Sequence, residues 1–188
     1  MSLFSADIPA FASLRAMTSA DADAVAALHA ASWRSAYRGI FSDQFLDHEA
    51  GLERQLAWRE RLQTNPSSTD WGLVAEGGDG RMIGFAYLMP DHDPDWGHYI
   101  DNLHVAPDFK GGGLGRRLMQ AVASQLRAKP LRPLHLWVLD ANEPAKRFYA
   151  RLGAEFAEQR VDDSLAGEAH LVWRCVWRNP STLLDSNA

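Results

Sequence analysis

Six consecutive residues, Lys110, Gly111, Gly112, Gly113, Leu114 and Gly115, place four glycines between a strand-like run and an amphipathic helical pattern. Glycine lets several backbone N–H groups converge at a helix N-terminus with no Cβ in the way, a geometry that binds phosphate oxygens. Arg116 and Arg117 follow, and either add charge to such a site or stand solvated on the first helical turn. Two other phosphate cradles fail here. A Walker loop needs Lys and then Ser or Thr after its last glycine, where Arg116 and Arg117 stand; the dinucleotide fingerprint needs Gly or Ala at 116 or 118, which are Arg and Leu. Asp91, Asp93 and Asp95 suggest a calcium loop, but Trp96 stands where that loop needs Gly and Asn102 where it needs Glu. No Cys or His pair has zinc-ligand spacing, so no metal is expected.

The elements around the glycine run follow from periodicity and punctuation. Ser13 to Met17 reads as a strand, then Thr18 and Asp21 have capping-box spacing before an amphipathic helix that starts near Val25 and Leu28. Trp33 to Ile40 is an aromatic break, and Leu46 to Leu62 a second helix. Trp71 to Ala75 and Met82 to Met89 are strands joined by a glycine-rich turn, hence an antiparallel pair. A polar connection from Pro90 to Gly97 leads to a strand over Tyr99 to Val105, ended by Pro107. Leu114, Leu118, Ala121, Val122 and Leu126 form one helical face, and Leu134 to Leu139 the next strand, which makes a βαβ crossover. Asn142 caps another helix with Pro144 in its first turn and Gly153 as its stop, and strands near Glu155 to Val161 and His170 to Trp177 close the fold. The expectation is one α/β domain with a mixed sheet over residues 13–178, an N-terminal extension over 1–12 and a loose tail over 179–188.

Here the sequence resembles the GNAT N-acetyltransferase superfamily. Its signature is Arg or Gln, two free positions, Gly, one free position, then Gly or Ala; Lys110, Gly113 and Gly115 fill it, with Lys110 a departure. Leu103, His104, Val105, Ala106 and Pro107 resemble the family's fourth strand, and Leu136, Trp137, Val138, Asn142, Ala145, Phe148, Tyr149 and Gly153 its second block. The resemblance implies a mostly antiparallel sheet of about seven strands, splayed between the fourth and fifth and flanked by about four helices. It implies acetyl-CoA as cosubstrate. The pantetheine arm would meet the main chain of Leu103, His104 and Val105; the pyrophosphate would meet Lys110, Gly111, Gly112, Gly113, Leu114, Gly115 and Arg116, with Asn142 also on the coenzyme side. Trp33 and Tyr37 are similar to acceptor-side residues of bacterial members.

Acetyl transfer from a thioester to an amine needs a neutral amine, a stabilised oxyanion and a proton for the departing thiolate. The resemblance places Tyr149 beside the coenzyme sulfur as the acid; the other reading makes it a core aromatic next to Phe148. The family's fourth-strand Glu falls at Tyr99. Asp101, two residues on and on the same face of a regular strand, is the nearest substitute base, with His104 expected on the opposite face unless a bulge intervenes. Asp101 reads equally as a polar residue bonding neighbouring backbone, with the amine's own ionisation replacing a base.

The chain has 188 residues, 46% of them hydrophobic, with 19 Lys and Arg against 24 Asp and Glu, a net charge near −5. That composition belongs to a packed globular protein and argues against a dedicated nucleic-acid binder. The single Cys175 forms no internal disulfide and reads as a small core residue; with no targeting pattern or membrane-length apolar run, a cytoplasmic protein that binds no membrane is expected. The function expected is acetyl transfer from acetyl-CoA to the primary amine of a small-molecule or peptide acceptor by direct attack. A rival reading is an acyl-CoA-binding sensor or scaffold without turnover, and a weaker one a nucleotide binder. Homodimers are common among the proteins this chain resembles.

Overall fold

The computed structural model describes residues 13–185, so the expected extension over residues 1–12 lies outside the described residues. In chain order the elements are β1 (Ser13–Ala16), α1 (Ala22–Ala36), α2 (Ala50–Arg59), β2 (Trp71–Glu76), β3 (Met82–Asp93), β4 (Gly97–Val105), α3 (Leu114–Leu126), β5 (Leu134–Leu139), α4 (Glu143–Arg151), β6 (Glu155–Leu165) and β7 (Glu168–Trp177). The start of α1 is fixed as its sequence suggests: Thr18 N–H donates to the Asp21 carboxylate at 2.7 Å, and Arg15 grips the same carboxylate from β1. Wider turns flank α2, with the amides of Ala50 and Asn65 donating to the carbonyls five residues back, Phe45 and Glu60, so the helical stretch covers slightly more than the expected Leu46 to Leu62.

The seven strands form one sheet in the order β1-β2-β3-β4-β5-β7-β6. Every neighbouring pair is antiparallel except β4 and β5. That parallel ladder consists of His98 opposite Leu134 and Tyr99 opposite His135, after which the two strands part. Just before this ladder stands Gly97, whose φ of +73° and contact with the Pro133 carbonyl leave no room for a Cβ. His98 N–H then donates to the same carbonyl at 2.9 Å.

One face of the sheet buries α3 with Leu118, Met119 and Val122 against Ile100, Leu134 and Trp177. The other carries α1 and α2, with Val25, Leu28 and Trp58 on Phe85 and Tyr87. Three details differ from the sequence reading. The polar connection expected over Pro90 to Gly97 is largely strand, since β3 runs to Asp93, which pairs with Gly97. The tail is not loose at its start: Pro180–Leu183 forms a helical turn, and Leu183 is fully buried in the α3 core.

The third difference lies in β4. Its pairing with β3 passes from Ile100 opposite Leu88 to Asn102 opposite Tyr87, leaving Asp101 as a bulge. A bulge breaks the alternation of faces. Ile100, Leu103 and Val105 therefore pack toward α3, while Asp101 reaches Arg61 just beyond α2 and His104 reaches Ser32 on α1. The expected opposition of Asp101 and His104 is corrected: both face the α1/α2 layer.

Candidate active site

Where β4 and β5 part, the sheet opens into a cleft of about 800 Å³. Leu103, His104 and Val105 form one wall, Trp137 and Val138 of β5 with Asn142, Tyr149 and other residues of the α4 region form the other, and Ser32, Ser35 and Tyr37 of the α1 end close the third side. The glycine loop forms the mouth. Gly111 and Gly113 sit at φ +83° and +81°, where an L side chain is strained, and a Cβ on either would project into open space. Gly113 caps α3, so the free amides of the first helical turn surround that space. Gly115 has another reason: a Cβ there would approach Phe148 Cζ at 3.1 Å, so this glycine sets how closely α3 and α4 pack.

Lys110, Arg116 and Arg151 bring positive charge to the wall, and no Asp or Glu lines it among the described residues. Lys110 Nζ reaches Ser35 Oγ at 3.5 Å across the cleft, and burial lowers its pKa. These features fit an extended ligand with anionic phosphates: a cradle free of Cβ atoms, a helix N-terminus and three cations. They fit the phosphate-bearing part of a coenzyme A molecule.

Deeper in, Asn142 Oδ1 accepts from Ala145 N–H at 3.2 Å and caps α4. Its side chain also meets the Tyr37 hydroxyl, whose pKa burial pushes up to about 12. Tyr149 lies beside both, 9% exposed, in edge contact with Phe148 and Trp177. Burial, and then Tyr37 nearby, hold its phenol well above the ordinary tyrosine range. Tyr149 is thus both a core aromatic and a cleft residue, which joins the two readings of its sequence position.

Not every expected residue reaches the cleft. Leu114 packs in the α3 core and offers only its amide, and Gly112 is part of the loop without lining the wall. Trp33 is 6% exposed, enclosed by His29, Phe41 and Phe45 with the Arg54 guanidinium 4.6 Å over its ring, so it stands behind the α1 side of the cleft without lining it. Asp101 does not line the cleft: it pairs with Arg61 and accepts from Asn102 Nδ2 at 2.6 Å. Ser32 and Ser35 line the wall without having been singled out. The serines lie three apart on one helical face, a pattern that was readable, although Ser is common on solvated faces too.

A model of the acetyltransferase (GNAT) family matches residues 25–154, from α1 through the cleft to the end of α4. The chain belongs to the GNAT family. Among its relatives, the "Probable N-acetyltransferase Rv2775" of Mycobacterium tuberculosis is 30% identical over 142 residues, 73% of this chain and 76% of that one. The mycothiol acetyltransferase of Actinosynnema mirum is 39% identical over 94 residues, 50% of this chain but only 30% of that protein. The chain thus spans about a third of the length of such mycothiol enzymes. A GCN5-related N-acetyltransferase structure from Rhodopseudomonas palustris superposes with a TM-score of 0.70 at 25% identity, covering 90% of this chain and 96% of that one. The PaiA N-acetyltransferase of Thermoplasma acidophilum, solved with coenzyme A, shares the fold at 20% identity and a TM-score of 0.60 over 86% of this chain and 96% of that one. Among the described residues, no helix is long and apolar enough to cross a membrane and no cluster could hold a metal ion.

Proposed function

We propose that this GNAT family member transfers an acetyl group from acetyl-CoA to a primary amine by direct attack. One observation carries the reading: the parted strands enclose a cleft with a glycine cradle and three cations at its wall, no carboxylate on it among the described residues, and a protonated phenol beside Tyr37. In this reading the amides at the start of α3 receive the pyrophosphate. The main chain of Leu103 to Val105, freed on its β5 side, holds the pantetheine arm.

The amine then attacks the thioester carbon, the C–S bond breaks, and the Tyr149 hydroxyl gives its proton to the departing thiolate. The proton lost by the nitrogen passes to solvent, since Asp101 stands off the wall in its pair with Arg61. The acceptor is a small molecule or a peptide whose amine enters past Tyr37.

Calorimetric titration with acetyl-CoA, with ATP and NAD as controls, tests the cofactor assignment, and thiol release with a panel of amines tests turnover. Selective micromolar binding with amine-dependent thiol release is expected. Equal binding of ATP or NAD would overturn the cofactor. Selective binding without release for any amine would favour the sensor reading, which Tyr99 in place of the family's fourth-strand Glu motivates.

A further inference from the structure

On the α1 side of the cleft lies an array of side chains that the acetyl-transfer scheme above does not use. Trp58 Nε1 donates to His29 Nδ1 at 3.0 Å. An indole N–H only donates, so the proton of neutral His29 sits on Nε2, which is buried with no hydrogen-bond partner. The His29 ring lies against the His104 ring, centroids 4.2 Å apart and planes tilted by 34°. His104 Nδ1 in turn lies 3.0 Å from Ser32 Oγ, and both residues line the cleft. The β4 bulge is what turns His104 to this side.

Two roles are open to an imidazole placed there. As a base it would have to become a cation. Burial opposes that, the Lys110 ammonium and the Arg54 guanidinium oppose it further, and together they lower the His104 pKa to about 3. His29, lying against it, is itself held neutral by burial and cannot supply compensating negative charge. As a donor it needs no change of charge. If the Ser32 hydroxyl donates to Nδ1, the ring proton is on Nε2, and a neutral imidazole N–H can polarise a carbonyl.

We infer that His104 is a catalytic residue of the transfer, its Nε2–H held toward the thioester carbonyl by the bond from Ser32 to Nδ1. This rests on the acetyl-CoA reading of the cleft. The amine lone pair forms the C–N bond while the C=O π pair moves onto oxygen, where the His104 N–H holds it. The pair returns to re-form C=O, the C–S bond breaks with its electrons on sulfur, and Tyr149 protonates the thiolate. The ammonium proton leaves to solvent and Tyr149 is reprotonated from solvent. Ser32 acts through His104 and is a positioning residue.

The test uses the whole protein with acetyl-CoA labelled with ¹³C at the thioester carbonyl and no acceptor, read by isotope-edited infrared spectroscopy, together with steady-state kinetics of thiol release. His104→Phe keeps a ring against His29 but has no donor. The expected result is near-unchanged acetyl-CoA affinity, a carbonyl band at higher frequency than in the wild type, and a kcat lower by roughly 10²–10³, the usual loss for one oxyanion donor. Ser32→Ala, a small change that leaves the packing intact, is expected to move the band part of the way and lower kcat by about tenfold. An unmoved band and a kcat within threefold of wild type in both variants would overturn the inference. So would an acidic limb of kcat that disappears in His104→Phe, which would make the residue a base. If wild type fails to bind acetyl-CoA, the cleft reading itself falls, a result distinguishable from bound coenzyme with an unmoved band.

Discussion

Replacing Tyr149 by Phe isolates one hydroxyl. The ring stays in edge contact with Phe148 at 5.2 Å and Trp177 at 5.9 Å, so stability should change by no more than about 1 kcal/mol. The kinetic effect follows from the acid's task. In water a phenol near pKa 10 is a weaker acid than a thiol near 8.5, so proton transfer to a thiolate is uphill by about 2 kcal/mol. Burial holds the Tyr149 phenol above its ordinary range, which adds to this uphill step, so close placement of the donor has to offset it. General acids contribute roughly 10²–10⁴ in rate, and an uphill donor belongs at the lower end, so kcat should fall about 10²–10³. Thiol release under saturating amine and calorimetric Kd for acetyl-CoA give the two readouts. Because the Tyr149 phenol is protonated throughout the assay range, any alkaline fall below about pH 10 should persist in Tyr149→Phe. A rate within threefold of wild type would remove Tyr149 from the chemistry, and a Kd that rises in step with the loss of rate would make its role binding.

Gly113→Val forces a β-branched residue to φ +81° and points it into the cradle; acetyl-CoA Kd should rise more than tenfold by calorimetry for a stability loss of about 1–2 kcal/mol. Asp101→Asn should leave the acidic limb of the kcat/KM profile in place, since Asp101 is off the cleft wall and already paired with Arg61; a shifted limb would restore it as the base. The Arg15 guanidinium, helped by Thr18, lowers the Asp21 pKa to about 2, so its contribution to stability is complete above about pH 4 and is lost as pH falls toward 2. With Arg15 38% exposed that contribution is about 1 kcal/mol, and Asp21→Asn should remove this part of the acid sensitivity of urea denaturation. Gly97→Ala sets a Cβ against the Pro133 carbonyl at φ +73°, and should cost about 2–4 kcal/mol in the same assay.

The elements were readable because each carries its own local signal. Thr18 and Asp21, Asn142 and Gly153 mark helix ends through bonds made within a few residues, and the Leu114 to Leu126 face declares its period without help from the rest of the chain. The glycine cradle was readable for the same reason: its positive φ values and its place at a helix start are local properties. What escaped depends on distant partners. Arg61, forty positions from Asp101, decides where that carboxylate points, and Leu183 finds the α3 core only once the sheet exists. Trp33 looks like a site aromatic in sequence, but its enclosure by Phe41, Phe45 and Arg54 is a tertiary fact.

The bulge at Asp101 links these failures to the site. On a regular β4, His104 would share a face with Ile100 and turn its imidazole into the apolar α3 core, where a polar ring without partners is costly. One extra residue lets Ile100, Leu103 and Val105 all face that core, while Asp101 and His104 find Arg61 and Ser32 in the opposite layer. Bulges also increase local twist, and this one lies just beyond Tyr99, the last β4 residue paired with β5. The same irregularity therefore places two polar side chains on the α1/α2 side and coincides with the opening of the cleft. Asp101, expected as a reacting group, is better understood as the residue whose insertion gives β4 the shape that the other groups need.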